Sequence, residues 1–198
     1  MVLALGYQAA STETQRRLSG AGDGSLAQVF LQSTESCLRK TPCMFKANVT
    51  MVRVLCLIVV ARLARGYSCS EIDSCGTLID MAVRGCRELG IHKPDRGEDK
   101  ASLLDMQMCA RPWTTTVFLK VRQAMNSGTL LLLRPSDFDA SVIENFDDEE
   151  LGVNTLRTMA SHPHRLQTSS TCHIFIAKAL PIAIDMFCAP IPRWRMYL

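Results

Sequence analysis

Residues Ser68 to Asp95, SCSEIDSCGTLIDMAVRGCRELGIHKPD, decide the fold class, because they read as one complete amphipathic helix with its own start and stop signals. Ser68 stands three residues before Glu71, the spacing of a capping box that covers free backbone N–H groups. Apolar residues then recur at helical spacing through Ile72, Leu78, Ile79, Ala82, Val83, Cys86 and Leu89. Asp73, Asp80, Arg84, Arg87 and Glu88 fall between them, on the face left to water. Gly90 takes the position of a left-handed C-terminal cap, with Ile91 placed to fold back as its hydrophobic partner. Pro94 forbids continuation.

Upstream, Val49 to Arg65 predicts a second helix, capped by Asn48 or Thr50. Its middle, VLCLIVVA from Val54 to Ala61, is apolar all round, as expected of a helix buried between others. The β-branched Val54, Ile58, Val59 and Val60 also permit a strand, but the length and the flanking Arg53, Arg62 and Arg65 favour helix. Gly66 closes it, and so short a connection predicts antiparallel packing on the helix that follows. Further back, Ser25 to Lys40 carries Leu26, Val29, Phe30 and Leu38 near helical spacing, and Thr41-Pro42 ends it. Residues 1–24 read as a flexible leader.

Downstream, residues 92–100 form a polar loop, and Ser102 with Asp105 can start another helix. Its apolar positions run Leu103, Leu104, Met106, then Trp113, Val117, Phe118, Val121, Ala124 and Met125. Pro112 interrupts them and predicts a kink, or a break with a restart near Arg111. Ser127-Gly128 stops the helix, and LLLLRPSDFD follows from Leu130 to Asp139. Val153 to Ser161 is a further helical candidate, SHPHRLQTSS a loop, and Thr171 to Cys188 an apolar helix kinked at Pro181. The expected fold is all-α, a compact irregular array of about six helices over residues 25–189, with 190–198 as a tail.

Composition excludes several functions. A net charge of +3 is too mild to argue for nucleic-acid binding, and the basic residues cluster only as the pairs Arg16-Arg17 and Arg39-Lys40. Direct DNA contact is therefore not expected, and neither is a membrane span. The start, MVLALGYQAA, has neither the positive region nor the long apolar core of a secretory signal. The nine cysteines include no Cys-x-x-Cys pair, so they read as reduced, mostly buried thiols rather than a zinc module.

Candidate chemistry is sparse. Asp137, Asp139, Glu144, Asp147, Asp148, Glu149 and Glu150 invite a calcium loop, but its sixth position, counted from Asp137, is Val142 where glycine is needed. A diphosphate-binding pair would need an acid four residues after Asp147, and that residue is Leu151. A solvated loop and helix start is the better account of these acids. His162, His164, Cys172 and His173 are metal ligands by type but not by spacing. No phosphate loop, nucleophile elbow or Cys–His arrangement with local support is present, so no catalytic residue is assigned. Trp113 reads as core, or as the lining of an effector pocket between helices.

Several separated motifs, in order, carry a resemblance. Met81-Ala82-Val83-Arg84 and then Glu88-Leu89-Gly90-Ile91-His92 are similar to the central signature of the fungal-specific transcription factor domain. That is the xylanolytic-activator-type regulatory region of fungal zinc binuclear-cluster transcription factors. The family follows its signature with a run of arginines, an apolar residue and Trp; here Arg111 and Trp113 remain, and Pro112 replaces a helix former. Ser127, Gly128, Leu133, Arg134, Pro135, Asp137 and Asp139 match its next segment, and Asn145 to Leu151 its later acidic one. The resemblance covers Ser25 to Cys188 and implies a non-catalytic regulator of transcription in the nucleus. It implies that zinc belongs to a DNA-binding module missing from this chain, which itself holds no cofactor. It also implies pairing with related regulators as a homo- or heterodimer, and response to a small-molecule effector. Three other readings stay open: a truncated stand-alone regulator acting through protein contacts, a small helical enzyme, and a decayed gene product.

Overall fold

A computed structural model describes residues 5, 9, 10, 14, 25–41, 46–64, 69–93, 102–138, 143–152, 155, 160–163 and 165–188. The protein is all-α. The described residues contain five α-helices, not about six, and no strand: α1 Ser25–Lys40, α2 Val49–Ala64, α3 Cys69–Glu88, α4 Leu103–Ser127 and α5 Thr171–Cys188. The chain divides into two compact units, Met1–Ile91 and His92–Leu198.

In the first unit α2 packs on α3. Asn48 caps α2, its Oδ1 accepting from the Met51 N–H at 2.7 Å. The apolar middle of α2 is buried at Leu55, Cys56, Ile58, Val59 and Ala61. Gly85 marks a close approach, since a Cβ there would stand 2.9 Å from Met51 Cε and 3.1 Å from a Val52 methyl. Leu31 of α1 is buried against Ile58 and Ala61, with Leu38, Val54 and Leu78 packed around them. Glu35 of α1 accepts from Arg62 of α2 at 2.6 Å, so a half-buried ion pair borders that apolar contact.

The end of α3 follows the expected chemistry. Gly90 takes φ 69°. Its N–H donates to the Arg87 carbonyl at 3.1 Å and that of Ile91 to the Cys86 carbonyl at 3.0 Å, the paired bonds of a Schellman cap. Ile91 is buried as its apolar partner. Ser68, Gly66 and Pro94, assigned as start and stop signals, lie outside the described residues.

In the second unit α4 packs on α5. Arg111 meets Ser170, and four residues on Thr115 meets His173, so the two helices advance in the same direction. Ser102 and Asp105 form the expected capping box, and Gly128, at φ 62°, closes the other end. Pro112 breaks nothing: α4 is continuous for 25 residues. An interior proline costs about 3 kcal/mol, and the burial of Ala110, Trp113, Val117, Val121 and Ala124 on the same helix offsets it. Helix α5 likewise runs unbroken through Pro181, and by length and composition it could cross a membrane.

Two expectations are corrected. Only Cys56, Cys75 and Cys86 are buried among the seven cysteines whose side chains are described; Cys109 is half-buried, and Cys37, Cys172 and Cys188 lie on exposed helix faces. Thr155, Ala160 and Ser161, the described part of the segment 153–161, are not helical. They follow a turn at Asp148–Glu150, and Thr155 accepts from the Gly152 N–H at 2.7 Å, a local bond that competes with helix.

Candidate functional site

The motif residues of the α3 end serve mainly to terminate a helix. Ala82 is buried, Leu89 half-buried, and Arg84 exposed in an (i, i+4) pair with Glu88 at 2.7 Å. Such surface pairs contribute little. His92 stands just after the Gly90 cap, and its ring meets that of Trp113 edge-on, with centroids 6.0 Å apart and an angle of 65°. Trp113 is 4% exposed, so it is core. Its indole Nε1 and the Nδ1 of His92 are both buried without a hydrogen-bond partner.

On the opposite side of α4, Arg111 organises a polar cluster. One guanidinium nitrogen donates to Asp148 and another to the Ser170 hydroxyl at 2.8 Å. Ser170 in turn donates to the Phe146 carbonyl at 2.7 Å. The Asp148 N–H donates to Ser169 Oγ at 2.8 Å, which joins the acidic loop to the start of α5. Beside this, buried Asn145 spans the loop before α5. Its Nδ2 donates to the carbonyls of Pro163 and Leu166 at 3.0 Å and of His162 at 3.3 Å. Its Oδ1 accepts from Thr168 Oγ1 at 2.7 Å. Phe146, fully buried, packs with Leu103, Leu104 and Leu151. The acidic run is thus half anchor: Asp147 to Glu150 face water while Asn145 and Phe146 before them are inside.

The remaining motif positions close turns. Ser127 donates to the Gln123 carbonyl at 2.8 Å ahead of the Gly128 cap. Pro135 opens a 3-10 turn, Pro135–Asp137, and the Arg134 N–H donates to Asp137 Oδ2 at 3.1 Å. Asp139 lies outside the described residues. Arg111 and Trp113 sit in one helix but face different surroundings, Arg111 toward Asp148 and Ser170 and Trp113 toward His92. Sequence reading missed Asn145, Thr168 and Ser170 as a connected set; three hydroxyl or amide side chains around an acidic run were the only signal.

Electrostatics follow from this placement. The Asp148 carboxyl is held below the usual carboxylate range, first by its hydrogen bond from Arg111. The Glu150 carboxyl is lowered by the hydrogen bond to His162, whose Nε2 lies 2.8 Å away. His173 is pushed below the ordinary imidazole range, first by burial and then by the charge of Arg111, with Asp148 opposing. The unfolded chain therefore takes up a proton near pH ~6.5 that the folded chain refuses, so stability falls as pH drops below that value. Thermal unfolding of the chain at pH 7.5 and 5.5 checks this: the Tm loss of wild type should shrink in His173→Asn, and equal losses would remove the effect from His173.

Among the described residues no group of three or more His, Cys, Asp and Glu side chains is placed to hold a metal ion. His162 pairs with Glu150 and His173 faces Thr115, while His164 lies outside the described residues.

Over 138 residues, 70% of its length, the chain is 25% identical to "Transcription factor opdR" of Penicillium oxalicum, and it spans 17% of that protein. No protein-family model and no solved structure matches it.

Proposed function

We propose, from its similarity to a fungal transcription factor, that the chain is the regulatory, non-DNA-contacting module of a fungal zinc-cluster-type regulator. On this reading it works in the nucleus, modulates transcription through protein contacts, and has no enzymatic activity. The observation that carries the proposal is the stretch of 138 residues similar to a transcription factor, taken with the ordered motif series from Ala82-Val83-Arg84 to the acidic segment Asn145–Leu151. Zinc then belongs to a DNA-binding module and not to this chain. A related regulator or a second copy is the partner. A small-molecule effector belongs to the same reading.

Placing residues 1–198 between an unrelated DNA-binding domain and an unrelated activation domain, in a fungal reporter strain, tests the proposal. Reporter output should change by at least about fivefold relative to the fusion without the insert, a typical size for regulatory coupling. Asn145→Ala, which loosens the loop before α5, should bring output back toward the insert-free value. Output untouched by the intact module would overturn the regulatory reading and favour a chain without a regulatory role.

A further inference from the structure

We propose that Ser169 is a phosphorylation site, modified by a protein kinase directed by Arg165, and that its phosphate takes Arg111 from Asp148 and frees the acidic loop from the start of α5. This rests on the Arg111 cluster and not on the regulatory reading above. Hydroxyl side chains fill positions 168–171, and their surroundings select one of them. Ser170 is fully buried and donates to the Phe146 carbonyl. Thr168, half-buried, donates to Asn145 Oδ1 at 2.7 Å. Thr171, also half-buried, accepts from the Thr168 N–H at 2.8 Å. Ser169 is exposed. Its oxygen accepts from the Asp148 N–H at 2.8 Å, but its hydrogen meets only the Phe146 carbonyl, at 3.5 Å, too far for a firm bond. That oxygen can attack the γ-phosphorus of a kinase's ATP: the O–P bond forms as the bond to ADP breaks, and the hydroxyl proton passes to the kinase's catalytic carboxylate. Residues 165–167 are exposed and form neither helix nor strand, so a kinase cleft can receive them extended. Arg165 is the only Asp, Glu, Lys or Arg between residues 161 and 177, so the cleft must offer it an acidic pocket.

Arg111 is the receptor for the phosphate. Its Nη1 donates to Asp148 and its Nη2 to Ser170 Oγ at 2.8 Å, while its buried Nε has no hydrogen-bond partner. Nε and Nη2 share one edge of the guanidinium plane, an edge that can grip an oxyanion through two parallel bonds. That edge serves Ser170, the neighbour of Ser169, and half of it is unused. A phosphate brings about two negative charges and three acceptor oxygens, against one charge on the Asp148 carboxylate. Asp147 adds to the imbalance, its Oδ1 standing 3.4 Å from the Ser169 nitrogen. One guanidinium cannot neutralise a dianion and two carboxylates together. The group that yields is Asp148, which at 53% exposure hydrates readily and is tied to Ser169 through its own N–H.

Two experiments on the full chain test this. In the first, the chain is incubated with ATP and yeast cell extract, and mass spectrometry locates the phosphate. It should sit on Ser169, be absent from that segment in Ser169→Ala, and fall at least about fivefold in Arg165→Ala. An unmodified chain, or phosphate on Thr168 in place of Ser169, overturns the site. In the second, phosphoserine is installed at position 169 during synthesis by stop-codon suppression. Amide hydrogen exchange across residues 147–150 should speed up about tenfold, with exchange within α2 and α3 unchanged. The phosphate's second ionisation, ordinarily near pH ~6, should lie about one pH unit lower by phosphorus NMR and return to the ordinary value in Arg111→Ala. Arg111→Lys, which keeps a charge but not the two-pronged edge, should give an intermediate value. Unchanged exchange in the acidic loop, or a phosphate that titrates alike with and without Arg111, overturns the switch.

Discussion

Asn145→Ala should lower the stability of the chain by about 3 kcal/mol, the largest effect expected of any polar substitution described above. Asn145 is 2% exposed, and its single amide holds three carbonyls and one hydroxyl across the loop before α5. An NH2 group has two hydrogens, so with three acceptors at least one bond is shared. The carbonyls of the exposed Pro163 and Leu166 can turn partly to water when the amide is lost, which caps the effect below a full desolvation cost per group. Asn145→Asp separates hydrogen bonding from shape. It has the same size, still accepts from Thr168, and faces three carbonyls with no donor. It should therefore be worse than alanine at pH 7. Urea unfolding of both variants decides the point; an aspartate chain as stable as wild type would remove the amide from its central place.

Arg111→Ala should cost about 2 kcal/mol. The Arg111 side chain is 11% exposed and its partner Asp148 53%, so removing the guanidinium leaves Asp148 able to hydrate, and the penalty stays below that of a fully buried pair. Ser170 loses its donor from Arg111 but keeps its own bond to Phe146. Arg111→Lys should recover only part of the loss, because one ammonium does not reproduce a planar fork that reaches a carboxylate and a hydroxyl together. The pH dependence gives a second readout. With its folded pKa lowered by Arg111, Asp148 contributes stability above about pH 3.9, and that contribution is lost as pH falls through the depressed value. Without Arg111 this acid-sensitive contribution should vanish from the difference between pH 6 and pH 2.5, and its persistence would count against the pair.

Local chemistry was legible in the sequence. Asn48, Ser102 with Asp105, Gly90 and Gly128 each act through bonds to residues a few places away, and each stands where the structure uses it. The α2–α3 pairing was readable for the same reason, since an apolar helix, a short connection and an amphipathic helix leave few arrangements. At Pro112 the alternative of a break is ruled out, because propensity is a weak force beside burial: the flanking Trp113 and Val117 hold the helix through it. The acidic run misled in another way. Charge density marks Asp147 to Glu150 as wet, which they are, but Arg111 lies 37 residues from Asp148, and Asn145 reaches residues 17 to 23 places away. Side-chain bonds over such distances leave no period in the sequence.

The same-direction pairing of α4 and α5 sets an order of events during synthesis. Helices α2 and α3 adjoin in the chain, whereas Arg111 must wait for Ser170, 59 residues later, before its cluster can close. At about 5–20 residues per second, that wait lasts roughly 3–12 s on the ribosome. Local pairings form first and distant ones pay loop closure before any contact repays it. Nascent chains stalled near residue 150 should thus resist protease through α2 and α3 while α4 is cut, and equal protection of both would show that α4 folds without α5. Throughout that interval the apolar side of α4 is a client surface for whatever chaperone meets the emerging chain.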